Sequence, residues 1–349
     1  MDFLDGNYIE NHAQAISIYH KLVVLFVRSD KSMTRTHYEW FHKNENGIEV
    51  FSIYFKKANT GFTRLDKLIN LVRYVRCQFI AFSKIRASFG MPALTHIHVL
   101  TRTAGLAYYL KRKFNIPYII SEHWSGYFPE NGDYKGWMKK QATKWVVRSS
   151  AGATVVSQYL KNAMLSHNLQ TDYEIIPNVA DTDVFRPGEK HKGDLKKIIH
   201  ISGMSKIPKN VHSFIEVCKA LVADRSDFTV DMIGDGPEMK ERMNEAHEMG
   251  LLDNKMFFYG DLSKEKVAEK LQEADFLVLY SLYENQPCVL IESIATGTPV
   301  IAPDIGGIAE HFTNNGLLVP KNDPEALKKA MTQLLDNPHY FNKEHLRKY

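Results

Sequence analysis

Short runs of β-branched and aromatic residues alternate with longer stretches of helical apolar spacing along most of the 349-residue chain. In the second half the alternation is regular. Strands are predicted at Lys197–Ser202, Phe228–Ile233, Lys255–Tyr259, Asp275–Tyr280, Pro299–Ala302 and Gly316–Pro320. Helices are predicted between them at Asn210–Asp224, at Pro237–Gly250 with a proline at its start, and at Ser263–Ala274. Strands that are apolar at nearly every position, separated by helices, imply a parallel sheet covered on both faces.

The first half alternates less cleanly. Candidate strands are Leu22–Val27, Glu49–Phe55, Thr95–Leu100, Tyr118–Ser121, Ala153–Val156 and Glu174–Ile176, and the longest helical pattern is Phe62–Phe89. A polar, Pro- and Gly-containing stretch from Pro177 to Lys192 separates the halves. The expected architecture is α/β, with two doubly wound domains over residues 1–180 and 196–349 joined by an interdomain segment at 181–195. Two such domains facing each other make a cleft, a favoured place for a small-molecule site. The ends depart from this pattern. The chain opens on a helical stretch, Tyr8 to Tyr19, preceded only by the turn-like Asp5-Gly6-Asn7, and it stops at the start of another near Phe341–Tyr349. The expectation is a sequence lacking a first strand and part of a last helix.

Composition and charge narrow the function. With 44% hydrophobic and 24% charged residues the chain reads as globular. No apolar run approaches the roughly 18 residues of a membrane-spanning helix. Three scattered cysteines, Cys77, Cys218 and Cys288, form no disulfide framework. Acidic Asp2 and Asp5 stand where a signal peptide is basic. The expectation is a cytoplasmic location, with peripheral contact at the inner face of a membrane as one reading of the charge distribution. Residues 1–180 hold 23 Lys/Arg against 13 Asp/Glu, a balance of +10, and residues 181–349 hold 21 against 27, a balance of −6. The basic half implies an anionic partner. Its longest helix carries Arg64, Lys67, Arg73, Arg76, Lys84 and Arg86 against Asp66 alone. That helix reads equally as a core helix with a solvated basic face or as a surface for anionic lipid. No basic–aromatic recognition motif points to nucleic acid.

Several common signatures are missing, including a phosphate-binding Walker loop, a zinc-protease motif and a complete dinucleotide fingerprint. Gly234-Asp235-Gly236 is only the front of the last, with Met239 at its third glycine. Asp181-Thr-Asp183 has metal-binding spacing but lies in the interdomain segment, where a structural role is the simpler reading. His96 and His98 alternate on one strand with no third ligand in the sequence, so no metal site is assigned. The informative stretch is Ser281–Gly307. Glu284 follows a buried strand, and Glu292 lies near the middle of the next helix. The helix N-terminus at Pro287–Val289 offers free backbone amides and a partial positive charge, which suit a phosphate. A carboxylate before it and one within it can accept hydroxyl hydrogen bonds from sugars on either side of a diphosphate.

This segment resembles the Glu–seven residues–Glu motif of retaining family-4 glycosyltransferases with the GT-B fold, two Rossmann-like domains across a cleft. Gly306-Gly307-Ile308-Ala309-Glu310, Asn315–Pro320, Ile233–Pro237 and Ile176–Asp181 resemble neighbouring segments of that family. Glu122–Tyr127 is similar to a form in bacterial polysaccharide transferases. The resemblance implies that Glu284 contacts donor-sugar hydroxyls and Glu292 the ribose. Backbone at Cys288 and Val289 would meet the diphosphate, with Gly236 and Gly307 lining the donor pocket. It makes Lys209 the cation that stabilises the departing diphosphate. Met204 stands at the family's arginine position, and Lys206 is the candidate substitute. Asn285, Gln286 and Pro287 replace the family's usual glycines after the first glutamate. His123 is implied at the donor sugar or its phosphate, and Gly6 and Tyr8 on the acceptor side.

The function implied is transfer of a sugar from a UDP- or GDP-linked donor to a glycan or lipid-linked acceptor. Anomeric configuration is retained, and no metal or other cofactor takes part. Cell-surface polysaccharide or lipopolysaccharide biosynthesis is the expected setting. Two alternatives stand beside it: a nucleotide-sugar epimerase on the same fold, and a non-catalytic module that binds nucleotide sugar or polysaccharide.

Overall fold

The computed structural model describes residues 7–30, 32–33, 38–188, 193–205, 209–312, 315–337, 339–341 and 346. Two compact units divide the chain. One takes in residues 1–123, 134–155 and 164–174, and the other residues 124–133, 156–163 and 175–349.

In the first unit the order is α1 (Asn7–Ser17), β1 (Val23–Asp30), β2 (Tyr38–Glu45), β3 (Ile48–Lys56), α2 (Thr63–Phe89), β4 (Thr95–His98) and α3 (Leu100–Phe114), followed by β5 (Tyr118–Glu122), α4 (Trp137–Ser149) and β6 (Gly152–Val155). Helix α5 (Gln158–Ser166) and strand β7 (Tyr173–Ile175) complete the first half of the chain. Strands β1, β3 and β2 form one sheet in that order, and β4–β5–β6–β7 form a second. β1 pairs parallel to β3, and β4 parallel to β5. Among the described residues no strand bridges β1 and β4. The sequence pattern predicts the strands at 22–27, 49–55 and 95–100, and it misses β2. β2 pairs antiparallel to β3 as a hairpin, and its side chains are mostly exposed, so no apolar alternation marks it. Its turn, Asn46-Gly47, has φ of 51° and 84°, the positive values a two-residue hairpin turn requires. Helix α2 packs through Tyr74, Cys77 and Ala81 on Ile53 and Phe55 of β3. Through Phe82 it meets Leu106 and Leu110 of α3.

The second unit continues with β8 (Lys196–Ile201), α6 (Val211–Val222), β9 (Phe228–Ile233), α7 (Met239–Glu248), β10 (Met256–Gly260), α8 (Lys264–Glu273), β11 (Phe276–Val278), α9 (Cys288–Ala295), β12 (Val300–Pro303), β13 (Gly316–Val319) and α10 (Pro324–Asp336). Its sheet is parallel in every pairing, with order β10-β9-β8-β11-β12-β13. This is the doubly wound order 3-2-1-4-5-6. Alternate residues of each strand feed opposite faces. Ile198, Val278 and Ile301 join the cluster under α6 and α10, while Ile199, Leu277 and Val300 join the one under α8 and α9. Helix α7 starts two residues later than Pro237 predicts, because the Glu238 amide donates to the Met204 carbonyl at 3.0 Å. Ser263 caps α8 by accepting from the Lys266 amide. Among the described residues no helix is long and apolar enough to cross a membrane.

Candidate functional site

In a 3-2-1-4-5-6 sheet the strand order reverses between the first and fourth strands, and the loops leaving their carboxyl ends part to opposite faces. Here those strands are β8 and β11, and the loops are the segments reaching Lys209 and Glu284. The two residues stand 75 positions apart, yet the Lys209 ammonium donates to Glu284 Oε1 at 2.5 Å. Ser281 Oγ donates to the same oxygen at 2.8 Å. Both side chains keep some exposure, 23% for Lys209 and 12% for Glu284, so the pair is held but reachable.

Helix α9 begins directly after this loop. Its N-cap position is Pro287, in extended conformation, and no side chain caps it. The first two helical amides, of Cys288 and Val289, therefore stand at an uncapped positive helix end. Burial, with Glu292 second, pushes the Cys288 thiol up to about 12, so it is protonated at neutral pH. Glu292 lies further along α9 and is buried, and burial pushes its carboxyl up to about 7 against the opposing pull of Lys264.

Close backbone approaches shape the surroundings. A Cβ at Gly236 would lie 2.4 Å from the Met204 carbonyl oxygen. At Gly306, where φ is +53°, a Cβ would lie 2.0 Å from the Glu284 carbonyl oxygen. A Cβ at Gly307 would lie 2.6 Å from Ser157 Cβ and 2.8 Å from the Asn285 carbonyl oxygen. The residues replacing the expected glycines act as ties. Asn285 Oδ1 accepts from Ser157 Oγ at 2.7 Å. Gln286 accepts from Asn178 twice, from its amide at 2.5 Å and from its side chain at 2.8 Å. The Glu310 carboxylate caps α5, accepting from the Gln158 and Tyr159 amides at 2.6 and 2.7 Å. Met204 is fully buried in the core, so its side chain offers nothing to a ligand.

Sequence reasoning missed His200, a fully buried residue of β8. Its Nδ1 lies 2.9 Å from the Val278 carbonyl and its Nε2 2.7 Å from Ser202 Oγ. The carbonyl can only accept, so Nδ1 carries the proton and Ser202 donates to Nε2. Burial lowers this imidazole to about 4. His200 thus ties β8 to β11 beside the loops that carry Lys209 and Glu284. Nothing in its apolar strand distinguished it from a core position. Asp181 has a structural partner. Burial would raise its pKa, but Lys264 at 3.0 Å and the Asp183 and Val184 amides bring it below the ordinary value.

In the first unit His123 follows β5. Its ring lies 4.3 Å from that of Tyr8, so two sequence candidates meet there. His12 and His98 join them, with ring centroids 5.5 and 6.0 Å from His123. Burial first, then neighbouring histidines, lowers His96 to about 4 and His98 to about 2. Buried Glu122 accepts from the His123 and Leu100 amides at 3.0 and 3.1 Å, fixing the ends of β5 and α3. Val99, between β4 and α3, has φ of 61°, an outlier for a β-branched residue. Among the described residues no group of His, Cys, Asp or Glu has metal-binding geometry. The candidates Gly6 and Lys206 lie outside the described residues.

The chain is similar to known glycosyltransferases. Residues 181–349 match the family model described as glycosyl transferases group 1, and residues 23–184 match that of glycosyltransferase family 4. An uncharacterised glycosyltransferase of Methanocaldococcus jannaschii is 29% identical over 70% of this chain and 66% of its own length. The chain spans 66%, 61% and 54% of three curated relatives that it matches. Among solved structures, sucrose-phosphate synthase of Thermosynechococcus elongatus superposes with a TM-score of 0.76 at 19% identity, covering 98% of this chain and 87% of that one. The trehalose-6-phosphate structure from Escherichia coli, bound with UDP-2-fluoro glucose, gives a TM-score of 0.75 at 12% identity, covering 98% of this chain and 90% of that one. Both likenesses establish the α/β GT-B fold.

Proposed function

The chain belongs to glycosyltransferase family 4, and from that premise we propose that it transfers a sugar from a nucleotide-sugar donor, with retention at the anomeric carbon and without a metal. The observation that carries the reading is the Lys209–Glu284 pair at the reversal point of the sheet, beside the uncapped N-terminus of α9. A diphosphate seated on the amides of Cys288 and Val289 gains from the helix end. The Lys209 ammonium stabilises the charge that develops as the diphosphate departs. Glu284 accepts from hydroxyls of the transferred sugar, and Glu292 accepts from the ribose. Gly236 and Gly307 keep the backbone close around the donor. The acceptor hydroxyl attacks the face that the diphosphate leaves, and a donor phosphate oxygen takes its proton. His123 is proposed at the donor sugar and Tyr8 on the acceptor side.

The donor is UDP- or GDP-linked. The acceptor is a glycan or a lipid-linked glycan in cell-surface polysaccharide biosynthesis, reached from the cytoplasmic side. The resemblance of Glu122–Tyr127 to bacterial polysaccharide transferases and the basic first half support this assignment. The test is Glu284→Gln combined with Lys209→Ala in a cell-based polysaccharide assay. Loss of product by about a hundredfold or more is expected, and unchanged product would sink the catalytic assignment. Incubation with donor alone separates the epimerase alternative, since a free epimerised nucleotide sugar would appear only in that case.

A further inference from the structure

Helix α2 turns an apolar stripe outward. Leu68 and Val72 are 58% and 59% exposed, and Leu65, Leu71 and Val75 lie beside them. At helical spacing these five share one face, opposite Tyr74, Cys77 and Ala81, which bury the other. The stripe is flanked by the exposed cations Arg64, Lys67 and Arg76. The helix's only acid, Asp66, is occupied by the amide and hydroxyl of Thr60, both at 2.8 Å.

Helix α4 repeats the chemistry with larger rings. Trp137, Met138 and Trp145 are 75%, 78% and 59% exposed. It also carries Lys139, Lys140, Lys144 and Arg148, and no acid. Helix α3 packs beside both α2 and α4, and its Tyr108 ring lies 4.5 Å from that of Trp145. Helices α2 and α4 thus both neighbour α3 in the first unit. Isolated exposed leucines need no explanation, but contiguous apolar surface ringed by one sign of charge does.

We propose that the outer faces of α2 and α4 form a docking surface for an anionic lipid bilayer. Aliphatic side chains enter the acyl boundary, indole rings favour the headgroup level, and Lys/Arg meet the negative surface potential. A soluble polyanion would satisfy the cations but gain nothing from Leu65, Leu68, Leu71, Val72 and Val75. A protein partner would have to bury that apolar stripe within a rim of one sign. None of these residues is among those proposed to bind the donor, so the two readings fail separately.

The experiment is flotation of the full chain with phosphatidylcholine vesicles, with and without roughly 30 mol % phosphatidylglycerol. Binding is expected only with the anionic lipid, and it weakens as salt is raised. Leu68→Ser with Val72→Ser should weaken it at least about tenfold. Lys144→Glu with Arg148→Glu should weaken it about fivefold or more per residue. Both variants should keep the parent circular dichroism and melting temperature, because the altered side chains lie on the outer faces of their helices. Equal binding to neutral vesicles, variants that bind like the parent, or full displacement by soluble heparin would each overturn the proposal.

Discussion

Glu292 should make donor binding depend on pH near neutrality. Its carboxyl is buried and moves from an ordinary 4.5 to about 7, with burial as the main cause. A carboxylate that accepts two ribose hydroxyls must be ionised, so affinity should rise with pH through that value. About one tenth of the sites are ionised at pH 6 and nearly all at pH 8, which makes the dissociation constant roughly tenfold larger at the lower pH. Stability runs the other way. Because the folded protein holds the proton more tightly than the unfolded chain, ionising Glu292 costs about 3 kcal/mol. That cost is absent below pH 4.5 and fully present above about pH 7. Titration calorimetry with UDP-glucose and GDP-mannose suits the binding measurement, since neither diphosphate diester gains a proton in this range. Glu292→Gln should bind more weakly with no slope, and its melting temperature should exceed the parent's by more at pH 8 than at pH 5. A parent affinity that stays flat from pH 6 to 8, or a variant that keeps the slope, would refute the reasoning.

Two further substitutions test the scaffold. His200→Ala leaves the Val278 carbonyl and Ser202 Oγ without their partner and opens a cavity. It should cost about 2–4 kcal/mol in urea unfolding and also reduce turnover, because β8 and β11 carry the loops of the site. Gly306→Ala sets a Cβ against the Glu284 carbonyl at positive φ. The expected loss is on the order of 1–3 kcal/mol with weakened donor binding, read from denaturation midpoints and calorimetry.

The second unit was legible in the sequence because each central strand is buried on both faces. Val230, Leu277 and Ile301 have no solvent side, so the apolar runs stand out between turns. The hairpin strand β2 was not, since Tyr38, Trp40 and Phe41 are exposed and give no alternation, although Asn46-Gly47 carried the turn signal. Glu284 and Lys209 could be named from their motifs, but their direct pairing could not. That pairing depends on the reversal of strand order, which no local pattern encodes. Met204 stands at the family's arginine position, and the structure buries its side chain in the core. The pattern of α2 allows two readings because helical periodicity does not say which apolar residues find neighbours. Leu68 and Val72 repeat at the same spacing as Cys77 and Ala81, and only packing separates them.

The division of the first unit into two sheets bears on how its parts hold together. In the second unit a continuous hydrogen-bonded ladder runs from β10 to β13, so backbone pairing transmits order across the whole sheet. In the first unit that ladder stops at β1 and begins again at β4, with a 360 Å³ cavity lined by Val27, Ser29, His98 and Thr103 between the strand ends. Among the described residues no strand ladder joins the two sheets, and Phe82 of α2 meets Leu106 and Leu110 of α3 between them. Side-chain packing is lost in smaller steps than a ladder is. Amide hydrogens of β1 and β4 should exchange with solvent as two separate cooperative groups, both before those of β8 and β11.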